Sequence, residues 1–297
     1  MGIEAALRGK TCTVSEHMVL IGQRNRLPIL RSAPPGYILD GEERGDILLP
    51  GRYIPKGVVP GGVMDVFIYR DSEDRLVATT ETPHAQVGQF AFLRIVSVNP
   101  RMGSFLDWGL DKDLLLPIRE QTRPLKAGDW VVVHVGLDEK SDRIVASMRV
   151  NRFLNLIPPQ YREEEEVRLL VVDETPLGFN VVINDAHRGL VYKSEISGPL
   201  APGQPLAGFI RRVRPDGKID VGLDRAGYTR VASLTEQILD VLKESQGPLP
   251  YHDRSSPEEI RSVFGVSKKA FKQAIGALYR DRKIVISDRG IERVAGK

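Results

Sequence analysis

A chain of 297 residues is too long for one small core and implies roughly two to four domains. Hydrophobic residues at 41% and charged residues at 27% suit a soluble globular protein, and a formal net charge of +3 means any nucleic-acid surface must be local. Cys12 is the only cysteine, which excludes an internal disulfide or a cysteine-built zinc site; the start of the chain lacks a secretory apolar core, and no apolar stretch is long enough to span a membrane, so a cytoplasmic protein is expected.

Internal repetition dominates the first three quarters of the chain. Gly36-Tyr37-Ile38-Leu39-Asp40 matches Gly103-Ser104-Phe105-Leu106-Asp107, and Ile47-Leu48-Leu49-Pro50 matches Leu114-Leu115-Leu116-Pro117. Gly61 matches Gly128, and the run Val63 to Ile68 matches Trp130 to Val135. After one inserted residue, Asp74-Arg75-Leu76-Val77-Ala78-Thr79 matches Asp142-Arg143-Ile144-Val145-Ala146-Ser147. A weaker third copy pairs Gly103 with Gly178, Leu115 with Leu190, Glu120 with Glu195, Gly128 with Gly203 and Ile144 with Ile219. The expected domains are residues 12–82, 86–152 and 164–224.

Each repeat reads as short strands rich in β-branched and aromatic residues, and Asp216-Gly217 marks a tight hairpin. Five short strands escape exposed edges best by closing, so each repeat is expected to be a five-stranded OB-fold barrel. Pro158-Pro159 and the acidic run Glu163 to Glu166 read as a solvated linker between the second and third repeats.

Beyond Gly227 the pattern becomes helical. Leu234, Ile238, Leu239, Val241 and Leu242 fall mainly on one stripe. Ser256, Pro257 and Glu259 form a capping signature for a second helix whose apolar face is Ile260, Val263 and Phe264, with Gly265 placed to end it. Ser267 caps a third, with Phe271, Ala274, Ile275 and Leu278 on one face. Ile284 to Ile286 and Ile291 to Val294 flank a turn. Three helices and a hairpin over residues 233–295 describe a winged helix, so the expected fold is mostly β with a C-terminal α+β domain.

Gly189-Leu190-Val191-Tyr192-Lys193-Ser194-Glu195-Ile196 is similar to the gly-leu-val-his-x-ser-glu-ile signature of ribosomal S-one-type RNA-binding domains, and Gly103 to Asp107 to that domain's gly-ala-phe-val-asp turn and strand. From about Thr11 to Val294 the chain resembles the conserved virulence factor B family of bacterial RNA-binding proteins, most specifically at Phe105 to Leu110, Ile68 to Ser72 and Ser267 to Lys272. The resemblance implies three S-one-type barrels, a winged helix, RNA binding and an effect on gene expression. The signature histidine is replaced by Pro50, Pro117 and Tyr192, and the glycine-turn phenylalanine survives only as Phe105, with Ile38 and Asn180 in its place elsewhere.

Single-stranded nucleic acid is held by π-faces for bases and cations for phosphates. The candidate π-faces are Phe105, Trp108, Phe179 and Tyr192; for Trp108 the competing role is packing between repeats. Strand alternation places Arg212 and Arg214 together on one face, with Arg211 and Val213 on the other. Lys268, Lys269 and Lys272 lie off the apolar face of the third helix, and residues 233–297 hold twelve Lys and Arg against nine Asp and Glu. The five histidines are scattered, and no nucleophile elbow or phosphate-binding glycine loop occurs, so neither catalysis nor a cofactor is expected. The expected partner is single-stranded RNA. A winged-helix regulator of duplex DNA and a ribosome-associated protein scaffold are the rival readings.

Overall fold

The computed structural model describes residues 18–138, 140–196, 199–223, 228–245, 247–287 and 289–294. Cys12, the expected start of the first repeat and the junction around residues 224–227 lie outside these.

The first barrel comprises β1 (Arg24–Ala33), β2 (Gly36–Asp40), β3 (Asp46–Pro50), β4 (Val63–Arg70) and β5 (Leu76–Thr79). The second comprises β6 (Phe90–Asn99), β7 (Gly103–Asp107), β8 (Leu114–Pro117), β9 (Trp130–Asp138) and β10 (Arg143–Ser147). The third comprises β11 (Glu166–Glu174), β12 (Gly178–Ile183), β13 (His187–Tyr192), β14 (Pro205–Val213) and β15 (Ile219–Gly222). All three close with one topology, in which the first strand pairs with the second and the fourth, and the third runs parallel to the fifth. Closure removes the edges that isolated five-stranded sheets would expose.

Two repeated glycine positions show why the copies fold alike. Gly61, Gly128 and Gly203 all have positive φ, and each donates its N–H back to the first strand of its own barrel, at Ile29, Ile95 and Val171. At Gly36, Gly103 and Gly178 an added Cβ would lie 2.0, 2.2 and 2.0 Å from a carbonyl oxygen of the facing third strand. Alternating apolar residues fill the interiors. Leu39, Ile47, Leu49, Val66 and Ile68 are fully buried in the first barrel, and Val171, Val181, Ile183, Val191 and Ile210 in the third. Each such side chain contributes roughly 1.5–3 kcal/mol by leaving water.

The winged helix comprises α1 (Tyr228–Glu244), α2 (Pro257–Phe264), α3 (Lys268–Arg280), β16 (Ile284–Ser287) and β17 (Gly290–Arg293). The capping box forms as the sequence implies. Glu259 N donates to Ser256 Oγ at 3.2 Å, and Ser256 N donates to Glu259 Oε2 at 2.8 Å. Gly265 ends α2 in the left-handed conformation. Leu234, Ile238, Leu242, Ile260, Phe264, Phe271, Ile275 and Leu278 form one core.

The chain divides into two compact units. One contains Met1–Val87, Val96–Ile118 and Val135–Ala146; the other contains Gly88–Ile95, Arg119–His134 and Ser147–Lys297.

Candidate nucleic-acid interface

In the second unit, a groove of about 980 Å³ runs over β12, β13 and β15 of the third barrel. Tyr192 ends β13 opposite Gly178, so no side chain stands across from its half-buried ring. The Tyr192 hydroxyl meets the Arg214 guanidinium, and Arg214 grips Asp220 through two hydrogen bonds of 2.8 Å. Asp220 therefore raises the Arg214 guanidinium above its ordinary value and fixes the tyrosine's polar tip.

One wall of the groove is apolar and open to solvent. Leu156, Ile157 and Leu177 are 74%, 62% and 66% exposed. The wall is pinned from behind. His187 Nε2 lies 2.9 Å from Ile157 O, and its Nδ1 lies 2.9 Å from the Tyr161 hydroxyl. Asn155 N donates to Ala186 O at 2.9 Å, while Asn155 Oδ1 accepts from Arg188 N at 3.1 Å. The exposed apolar side chains thus sit on backbone held by polar anchors, of which His187 is buried.

Three cations and two carboxylates line this groove. Arg214 belongs to Asp220, and Lys218 lies 2.8 Å from Asp216. Arg188 donates to the neutral Asn180 Oδ1 at 2.9 and 3.3 Å, so its positive charge is not matched by a carboxylate there. Pro158 and Pro159 line the same groove. The acidic run beyond them is exposed in part but is tied to the barrel, because Glu164 N donates to Ile210 O at 2.7 Å and its carboxylate pairs with Arg211 at 2.9 Å. Glu163, Glu164 and Glu166 are exposed, as a solvated run would be, but the run is anchored and Glu166 already begins β11.

The other expected residues divide. Phe179 is only 8% exposed and belongs to the third barrel's core, so its ring is not offered to a base. Trp108 is 3% exposed, donates its indole N–H to Lys112 O at 2.6 Å and meets the Phe67 ring edge-on at 5.8 Å. Packing is its role. Phe105 is half-buried and lines a pocket of about 380 Å³ with Tyr69, Arg70, Lys112 and Arg143. The Lys112 ammonium donates to Arg70 O and Asp71 O at 2.9 and 2.7 Å, and burial lowers its pKa.

A bulge between Ile210 and Arg212 interrupts the ladder at Arg211, and β14 ends at Val213. Arg212 stands opposite Asp220 in the ladder, the carboxylate that Arg214 grips, but of the two arginines Arg214 lines the groove and exposed Arg212 does not. Arg211 turns inward to Glu164 and Glu195 at 2.9 and 3.4 Å. On α3, Lys269 and Lys272 are exposed and Lys268 is half-buried. Lys269 Nζ lies 3.9 Å from Glu195 Oε1, which brings the start of α3 to the turn after β13.

Sequence reading passed over Arg188, Lys218 and the exposed leucine–isoleucine wall. It also passed over an aromatic pair in the second unit, Phe92 and Trp130, with ring centroids 5.2 Å apart and planes at 29°. The alternation of β9 carried that signal, because Val131 and Val133 are buried while Trp130 is 52% exposed.

Barrels of this topology followed by a capped winged helix define a class of nucleic-acid-binding architecture. Residues 21–81 match the S1 domain, and residues 236–292 match the CvfB-like winged helix domain. The chain is 29% identical over 272 residues to YitL of Bacillus subtilis (strain 168), covering 89% of this chain and 90% of that protein. It is 25% identical over 242 residues to conserved virulence factor B of Staphylococcus epidermidis (strain ATCC 12228), covering 77% and 81%. A crystal structure of a Streptococcus pneumoniae TIGR4 multidomain protein with nucleic acid binding domains aligns at 24% identity and a TM-score of 0.39, covering 92% of this chain and 98% of that one. The resemblance to the conserved virulence factor B family thus holds over most of the chain.

Proposed function

We propose that this protein binds single-stranded RNA through the third-barrel groove and regulates gene expression after transcription. The carrying observation is the groove's composition: Tyr192 presents a fixed ring, Leu156, Ile157 and Leu177 give an exposed apolar wall, and Arg188 supplies a cation paired with no carboxylate among the described residues. Splayed bases need such apolar and π surfaces, and phosphates need the cation. A duplex buries its base faces in its own stack and gains little from this wall. The proximity of Lys269 to Glu195 supports a footprint continuing onto α3, where Lys268, Lys269 and Lys272 would meet further phosphates. Two weak surfaces on one chain reinforce each other through effective concentration.

The test compares binding of unstructured RNA, single-stranded DNA and duplex DNA to the intact chain at several salt concentrations. RNA is expected to bind tightest, and Tyr192→Ala to cost roughly 1–3 kcal/mol of that affinity. Equal or tighter binding of duplex DNA would transfer the function to the winged helix.

A further inference from the structure

We infer a second single-strand contact, distinct from the third-barrel groove: a cleft of about 720 Å³ in which the indole of Trp130 stacks a nucleobase beside Arg123, Arg149 and Arg152. The inference rests on the single-strand reading above and extends it to a surface that the replaced signature positions do not contain.

Trp130 begins β9, and 52% of it is open to solvent. Tryptophan usually buries most of its surface, so a half-open indole held in a fixed orientation calls for an occupant. This one is held by Phe92, whose ring it stacks on. Phe92 is itself backed by Gly203, where an added Cβ would lie 2.0 Å from the ring. The indole N–H has no acceptor among the described residues and is available to a ligand.

The charges around the ring favour an anion. Three arginines line the cleft against one carboxylate, Asp173. Arg123 pairs with Asp129 at 3.1 Å and Arg152 with Glu120 at 3.7 Å. Exposed Arg149 donates Nε to the Arg119 carbonyl at 2.9 Å, which orients its guanidinium without cancelling its charge. A π-face beside an oriented cation suits a nucleotide, with its base on Trp130 and its phosphate at Arg149.

A side-chain hydrogen bond links the lining of the cleft to that of the first site. Asp173, which lines the cleft, accepts a hydrogen bond from Asn180 Nδ2, and Asn180 lines the third-barrel groove, where its Oδ1 accepts from Arg188. One single strand can follow this line from Arg188 to Trp130.

The experiment titrates the intact protein with fluorescein-labelled twelve-nucleotide oligouridine and oligothymidine, reading anisotropy; unlabelled oligonucleotides serve for a parallel reading of tryptophan fluorescence. Trp108 is buried, so stacking should quench Trp130 alone. Quenching is expected to saturate together with the anisotropy. Trp130→Leu should remove the quenching and weaken binding by about tenfold, while Trp130→Phe, which keeps a stacking ring, should recover part of that loss. Arg149→Gln should weaken binding and flatten its salt dependence. Quenching by oligouridine alone assigns the cleft to RNA, and quenching by both assigns it to single strands of either sugar; both results support the cleft. Binding that is unchanged in Trp130→Leu, or quenching that persists in it, overturns the cleft; if Tyr192→Ala still weakens binding in that case, the groove stands alone. Absence of any anisotropy change overturns the groove and the cleft together.

Discussion

Acidification should loosen the second unit through one side chain, His134. It lies on β9, is 8% exposed, and its ring stacks on Phe153 with centroids 3.8 Å apart and planes at 11°, with Phe90 4.9 Å away on a tilt. Its Nδ1 is buried with no hydrogen-bond partner among the described residues, so a proton there would gain no acceptor from them. Burial pushes the imidazole from its ordinary 6.5 down to about 4. The folded pKa is the lower one, so the unfolded chain protonates first as pH falls. The stability contributed by neutral His134 is complete above pH 6.5 and is lost between there and pH 4. The loss works out to about 2 kcal/mol at pH 5, approaching roughly 3 kcal/mol below pH 4. Urea unfolding of the parent and of His134→Gln at pH 7 and pH 5 isolates this contribution, because carboxylates and the remaining histidines titrate in both. The parent should lose about 2 kcal/mol more than the variant over that interval. Equal losses would show that the His134 site accepts a proton without cost and would refute the reasoning.

Further outcomes follow from the same geometry. Trp108→Ala should cost roughly 3–5 kcal/mol in chemical denaturation, as expected of core loss, whereas a full loss of RNA affinity at unchanged stability would restore it as a binding face. Phe105→Ala, at a half-buried position, should cost less stability than Trp108→Ala in the same assay. Ser256→Ala removes one half of the capping box and should lower stability by about 1 kcal/mol. Neutralising Lys268, Lys269 and Lys272 together should weaken RNA binding and shift the log–log salt slope by about 0.7 for each phosphate no longer neutralised; an unchanged slope would make these lysines ordinary solvated side chains.

The barrels were legible because their determinants are local and recur. Gly36, Gly103 and Gly178 each admit a carbonyl that a side chain would strike, and alternating Leu and Val need only face inward. Ser256 and Glu259 were equally legible, since a capping box closes within four residues. The candidate binding faces were less so, because they depend on which neighbour arrives. Trp108 and Trp130 both sit at polar strand ends in the sequence, yet Phe67 and the Lys112 carbonyl claim the first, while the second keeps half its surface in solvent. Arg212 and Arg214 differ because β14 ends at Val213: Arg214 lies just beyond the strand and lines the groove, while Arg212 does not. Arg188 gains its importance from Asn180, eight residues away in sequence and beside it only after β12 and β13 pair.

The same distinction bears on how three copies of one barrel can differ in use. The third strand of each barrel must turn small or aliphatic residues inward, and those positions stay within that range: Ile47 and Leu49, Leu114 and Leu116, Gly189 and Val191. Its last residue is not needed by the core, and there the copies carry Pro50, Pro117 and Tyr192. Proline at that position offers neither a π-face nor a hydroxyl, so the first two barrels cannot reproduce the arrangement of Tyr192, Arg214 and Asp220. The groove wall deepens the difference, since Leu156 and Ile157 come from the segment between the second and third barrels and are anchored by His187 and Asn155. Specialisation of the third barrel thus requires both a strand-end substitution and an anchored connection, neither of which disturbs the interior that keeps the repeats alike.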